Sequence, residues 1–225
     1  MLQKLFDNQN PFWRFLSKLF DVMVLNLAWL LFSIPVITSG AATAAAYKVC
    51  FQIHTGEFSG TLKSFWASFK ENLRQGIFMG LILLLLCCIF LFDILYFMQL
   101  QQYLPEALKY LLTGLFTLLL ITALMAGIYG FAIQALFENT VRGTLKNALI
   151  LALRHPLRSV SMLALDLAFF AATTLSLYYL PAISMVLLLF GMGLVLYINS
   201  LILLPVLCKY MPEEVDEEAE PEIFD

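Results

Sequence analysis

Two aspartates lie inside long apolar runs, where a carboxylate could bind a proton, a cation or a hydrogen-bonding ligand. Asp93 lies within 76–98 and Asp166 within 159–180. An ionised group is costly in hydrocarbon, so each is a candidate for an intramembrane polar site, together with the amides Asn26 and Asn199. The alternative is structural. Asp166 would then pair with or cap a buried polar group, and the amides would hold helices together.

Other chemistry finds little support in the sequence. It contains no G-x-x-x-x-G-K-[ST], G-x-S-x-G or H-E-x-x-H, so no nucleotide loop, nucleophile elbow or zinc protease motif is indicated. The four cysteines show no C-x-x-C spacing, and two of them, Cys87 and Cys88, are small apolar residues of a hydrophobic run. We therefore predict no enzymatic activity, catalytic residue, cofactor or metal site, and no nucleic-acid binding.

The composition identifies the bilayer as the solvent. Of 225 residues, 61% are hydrophobic and 13% charged, and the mean hydropathy is +0.86. A soluble domain carries about 25% charged residues. We predict an all-α polytopic protein of the cell membrane, with about six transmembrane helices in three hairpins, both termini inside and amphipathic cytoplasmic loop helices. The predicted spans are 19–37, 38–53, 76–98, 109–137, 159–180 and 182–207.

The distribution of charge supports this topology. Twelve of the 13 Lys and Arg residues fall on the inner side when all six runs cross, and only Lys109 falls outside. The pattern requires 38–53 to cross although it is weakly hydrophobic. The predicted membrane domain is 1–211, its first apolar run is kept as a span rather than a cleaved signal, and 212–225, with eight acidic residues, is predicted to be a disordered tail.

The alanine-rich segment after the first span predicts close helix packing. Pro35 disfavours helix at the end of that span, and Thr38 supplies turn and cap chemistry. Gly40, Ala41, Ala44 and Ala45 form small-x-x-x-small pairs that let helices approach. We interpret this segment as a central packing helix; a re-entrant or surface helix is the alternative.

Two basic loops form the predicted docking surface. Gly60-Thr61-Leu62-Lys63 recurs as Gly143-Thr144-Leu145-Lys146, which indicates an internal repeat, 60–86 and 143–169. The loops offer amphipathic helices that either lie on anionic lipid or dock a cytoplasmic partner. The residues concerned are Lys63, Phe65, Trp66, Phe69, Lys70, Arg74, Arg142 and Lys146.

The first 75 residues resemble the YesL-like family of small bacterial integral membrane proteins. The resemblance rests on three stretches: Asn26-x-x-Trp29, then Ile34-Pro35-Val36-x-Thr38-x-Gly40-Ala41-Ala42-x-Ala44-Ala45, then Phe65, Phe69, Lys70, Asn72 and Gln75. The molecular function of that family is not established, and its genes often lie beside sugar-uptake transporters and polysaccharide-degrading enzymes. The resemblance implies a role near carbohydrate import and assigns no catalytic residue.

Three functions remain open from the sequence. The first is an accessory protein for bacterial carbohydrate uptake, which sits in the lipid bilayer and docks a sugar ABC transporter permease through the basic loops. The second is a self-contained transporter or channel that uses the intramembrane aspartates. The third is a membrane scaffold or signalling protein.

Overall fold

The computed structural model describes residues 11–56, 60–99 and 105–210, and this part of the chain is helical. Its α-helices are α1 (Pro11–Ser33), α2 (Ser39–Thr55), α3 (Thr61–Gln99), α4 (Glu106–Leu136), α5 (Val141–Arg154), α6 (Pro156–Tyr179) and α7 (Pro181–Leu207). Single 3-10 turns occupy Val36–Thr38 and Cys208–Tyr210. The predicted tail, 212–225, lies outside the described residues.

The all-helical, multi-pass architecture predicted from the sequence is confirmed. Five helices of the described chain, α1, α3, α4, α6 and α7, are long and apolar enough to cross a membrane. The remaining predicted span, 38–53, corresponds to α2, which has 17 residues. At 1.5 Å per residue α2 is roughly 26 Å long, slightly less than the hydrocarbon thickness of about 30 Å.

The first amphipathic loop was predicted to form a helix separate from the following span, and the structure differs. It is continuous with the span 76–98, and together they form α3, a helix of 39 residues. No proline interrupts this stretch, whereas Pro156 begins α6 and separates it from α5. The two halves of the predicted repeat, 60–86 and 143–169, therefore differ in helical continuity. At roughly 58 Å, α3 exceeds the hydrocarbon thickness.

The turn between α1 and α2 is closed by side-chain hydroxyls. Pro35 has extended backbone angles, φ −74° and ψ 108°. The Thr38 hydroxyl donates to the carbonyl of Phe32 at 2.6 Å, and the Ser39 hydroxyl donates to that of Val36 at 2.7 Å. The bond to Phe32 satisfies a carbonyl that the end of α1 leaves without a helical partner.

Helix α2 lies at the centre of the described fold. Eleven of its 17 residues are buried, and it contacts α1, α3, α4 and α7. Gly40 and Ala41 meet Gly76 and Gly80 of α3 so closely that the two backbones touch. One edge of α2 reaches the surface, where Lys48 forms an exposed ion pair with Glu71 of α3 at 2.8 Å. Small residues thus set the distance between α2 and α3, as in membrane helix pairs generally.

Replacement of Gly76 by alanine should loosen this crossing. The new Cβ would lie 2.5 Å from the Cα of Ala41, a backbone atom that cannot move aside alone. Overpacking of this kind costs about 1–3 kcal/mol. We expect G76A to lower the thermal unfolding midpoint in detergent, measured by tryptophan fluorescence.

The matched control is G114A in α4, where an added Cβ meets nothing within 4 Å. This variant should unfold like the wild type or slightly later, because alanine favours helix over glycine. Equal midpoints for G76A and G114A would contradict the close crossing.

Candidate functional site

The structure brings together two of the four predicted intramembrane polar residues, Asp166 of α6 and Asn199 of α7. The Nδ2 of Asn199 donates to the Oδ1 of Asp166 at 2.9 Å. Asn199 is completely buried, and its Oδ1 has no hydrogen-bond partner. Tyr47 of α2 lies close enough to interact with both. We call Asp166, Asn199 and Tyr47 the polar triad.

A cavity of about 500 Å³ lies beside this triad. Asp166 and Tyr47 reach its wall, and most of the remaining lining is apolar. The cavity is bounded by residues of α2, α3, α4, α6 and α7, among them Thr43, Leu83, Leu124, Leu167, Phe170 and Leu196. Its volume lies within the range of small-molecule pockets, about 300–1,000 Å³.

The cavity exists because α6 stands apart from the centre of the fold. Helix α6 packs against α7 and touches α4 and α5, yet within the described residues its backbone does not come close to that of α2 or α3. Leu84 of α3 and both Leu167 and Phe170 of α6 line the cavity and are exposed on the outer surface. The gap therefore opens sideways, toward the region that the apolar surface assigns to lipid.

Asn26, the third predicted polar residue, has a different environment. Its Nδ2 donates to the carbonyl of Leu188 at 2.6 Å, and its Oδ1 accepts from the N–H of Gly193 at 2.8 Å. The side chain thus bridges two peptide groups of α7, five residues apart. Because both of its functional groups bond to backbone, Asn26 fastens α1 to α7.

Asp93, the fourth, is remote from the polar triad. It lies on α3 near the end that leads to α4, it is half-buried, and it does not line the cavity. The predicted four-residue site therefore divides into the Asp166–Asn199 pair, a helix-fastening Asn26 and a separate Asp93.

The predicted docking residues of α3 separate into two faces. Phe65 and Phe69 are buried, with ring centroids 5.7 and 4.8 Å from that of Phe32 in α1. Away from these rings, four exposed residues lie within about 80° of the helix circumference, with Leu62, Ala67 and Glu71 exposed beside them. This basic stripe consists of Lys63, Trp66, Lys70 and Arg74.

The aromatic and cationic groups of the basic stripe touch each other. The Nζ of Lys70 lies 4.7 Å from the ring centroid of Trp66. One turn beyond Arg74 the exposed side chain is Phe78, and apolar residues follow. The exposed surface of α3 thus changes from basic to apolar between Arg74 and Phe78. The apolar residues 78–99 would span roughly 33 Å, close to the hydrocarbon thickness.

A second group of cations surrounds the α5–α6 junction. Arg142 and Lys146 are exposed at the start of α5, and Arg154 at its end lies 5.9 Å from the ring of Tyr210. Burial lowers the pKa of His155, and the charges of Arg158, Arg154 and Lys209 lower it further. The positive neighbours therefore favour the neutral form of His155.

The predicted packing and turn residues lie along the entry to α2. Pro35 is exposed in the turn, and Thr38 closes it. The small residues Gly40, Ala41, Ala44 and Ala45 are buried in α2.

Two features of the site were missed by reasoning from the sequence. The partners of Gly40 and Ala41 are Gly76 and Gly80, and a Gly-x-x-x-Gly signal in an apolar run could have revealed them. Tyr47 had no signal of its own, because an aromatic residue beside a lysine does not indicate a neighbouring carboxylate on a distant helix. Among residues 11–56, 60–99 and 105–210, no group of three or more His, Cys, Asp or Glu side chains could hold a metal ion.

The role of Asn26 can be tested by N26A. The variant removes two hydrogen bonds between α1 and the backbone of α7 at a site where the side chain is 2% exposed, and each lost bond costs about 0.5–1.5 kcal/mol. We expect a lower unfolding midpoint by circular dichroism in detergent.

The control N147A removes an exposed asparagine of α5 and should leave the midpoint unchanged or slightly raised. If N26A proved as stable as N147A, Asn26 would not be the residue that fastens α1 to α7.

Comparison with known proteins gives one match. The family model described as "Protein of unknown function, DUF624" matches residues 22–94, which comprise the second half of α1, all of α2 and most of α3. The match covers less than half of the chain and includes the Gly40–Gly76 crossing and the basic stripe. Neither the curated proteins nor the solved structures contain a match. Over α1–α3 the chain is therefore similar to a family whose function is unknown.

Proposed function

We propose that this protein is an accessory subunit of the bacterial cell membrane that docks a partner through the basic stripe of α3. The supporting observation is the division of α3 into two faces. Because Phe65 and Phe69 pack within the protein, the stripe is a rigid outward surface rather than the back of a helix lying on lipid. Trp and Arg are the side chains that most often dominate binding energy at protein interfaces.

The partner that we propose is the permease of a sugar ABC transporter. The proposal combines the basic stripe with the role that the resemblance over the first 75 residues implies. A permease presents cytoplasmic loops next to the membrane surface, and the stripe lies just beyond the apolar part of α3. Attraction between the stripe and acidic groups would act mainly on orientation and association rate. The cations at Arg142 and Lys146 extend the same docking surface.

The test is affinity purification from native membranes under mild detergent, with partners identified by mass spectrometry. The variant combines K63Q, K70Q and R74Q. Exposed ion pairs contribute about 0.2–1 kcal/mol each, so loss of three should reduce recovery of the permease about threefold to a hundredfold. The control K109Q removes a lysine from α4 and should keep wild-type recovery. Wild-type recovery by the triple variant, or absence of any permease, would contradict the proposal.

A self-contained transporter is the second candidate, and the cavity beside Asp166 favours it. Transporters commonly place polar groups within the bilayer, between helices that can move apart. This candidate predicts flux of a sugar into liposomes that contain the purified protein alone, reduced by D166N. D93N is the matched control, because Asp93 does not line the cavity. Equal flux in D166N and D93N would show that transport does not depend on the polar triad.

A further inference from the structure

We propose that the cavity beside Asp166 binds a single-chain lipophilic amine that enters sideways from the bilayer. Its ammonium group would contact Asp166 at the cavity wall, and its alkyl chain would lie along the apolar lining. This site is independent of the basic stripe, and binding there can occur with or without transport.

The polar triad has more hydrogen-bond acceptors than donors. An ionised carboxylate offers about four acceptor positions and an amide oxygen two, whereas the Asn199 amide and the Tyr47 hydroxyl together supply three donors. The structure uses one of these donors in the 2.9 Å bond from Asn199 to Asp166. The buried Oδ1 of Asn199 has no partner at all. Asn199 does not line the cavity, so Asp166 is the carboxylate of the triad that a ligand with several N–H donors would reach there.

The charge of Asp166 is also uncompensated by the described residues. The ion pair formed in this part of the chain joins Lys48 to Glu71, and neither residue lines the cavity. The titratable side chains that do line it with Asp166 are Tyr47 and Cys87, and neither carries a positive charge. A carboxylate in an apolar setting requires either a proton or a cation. An ammonium group would supply the missing positive charge, and it also has three hydrogen-bond donors for the carboxylate.

The rest of the cavity matches an alkyl chain. Leu83, Leu124, Leu163 and Leu196 form its inner wall, and no described Lys, Arg or Glu interrupts it. Burial of each methylene group contributes about 0.8 kcal/mol when it leaves water, so a chain adds affinity that the head group alone lacks. A short amine would gain the contact with Asp166 without this contribution.

The opening determines where the ligand comes from. Because the backbone of α6 does not come close to that of α2 or α3, the cavity is continuous with the outer apolar surface at Leu84, Leu167 and Phe170. An amphiphile dissolved in the bilayer reaches this opening with its chain already in hydrocarbon. A hydrophilic ligand would have to leave water to arrive by the same route.

Binding can be measured with the full chain in nanodiscs of zwitterionic phosphatidylcholine. Radiolabelled dodecylamine is the probe, and empty nanodiscs give the correction for partition into lipid. We expect saturable binding by the wild type, and binding about tenfold or more weaker in D166N, because a charge-assisted hydrogen bond is lost. Asn at this position still accepts from Asn199, so D166N keeps the contact between α6 and α7. D93N should bind like the wild type.

Two further comparisons separate the head group from the chain. Dodecanol has the same chain without the charge and should compete at least about tenfold less well, and butylamine should compete weakly because its chain is short. L84W places bulk at the opening and should weaken dodecylamine binding while Asp166 remains intact. Equal competition by dodecanol, or equal binding by D166N and D93N, would overturn the proposal, and so would wild-type nanodiscs that bind no more than empty ones.

Discussion

The backbone contact between α2 and α3 is the constraint on which the rest of the described fold depends. Gly40 and Ala41 of α2 lie against Gly76 and Gly80 of α3 so closely that the backbones of the two helices are in contact. In hydrocarbon the apolar groups of two helices gain little from leaving lipid, so close packing must supply the attraction. Alanine and glycine permit that packing, and they also let α1, α4 and α7 surround α2. The low hydropathy of α2 is thus a consequence of its position inside protein.

The two buried asparagines, Asn26 and Asn199, differ in how fully their amide groups are hydrogen-bonded. Asn26 bonds through both ends of its amide to the backbone of α7, so its side chain holds α1 and α7 together. Asn199 uses its nitrogen on Asp166 and leaves its oxygen unpaired. An unsatisfied buried acceptor is unfavourable for a fold alone. Asp166 and Tyr47 of the polar triad line the cavity and Asn26 does not, so a ligand would bind at the triad rather than at Asn26.

The sequence was sufficient for much of the fold because hydropathy and proline are local signals. The apolar runs became helices, and Pro35, Pro156 and Pro181 each lie at a helix boundary. The sequence did not predict that α3 is one continuous helix. An amphipathic stretch followed by an apolar one has the same residue pattern whether it forms one helix or two. The sequence could not predict the polar triad for a different reason. Those residues are up to 152 positions apart in the sequence, and only the packing of α7 against both α2 and α6 brings them together.

The continuity of α3 also links the two surfaces that carry the proposals. Its N-terminal half presents the basic stripe outward, and further along the same helix Leu83, Leu84 and Cys87 line the cavity. Between them lie Gly76 and Gly80, which fix α3 against α2. Because no break separates these segments, a displacement at the glycine crossing would move both surfaces as parts of one rigid helix. A variant at the glycine crossing should therefore change the unfolding midpoint, partner docking and ligand binding together. A variant in the basic stripe or in the cavity should change only the binding at that surface.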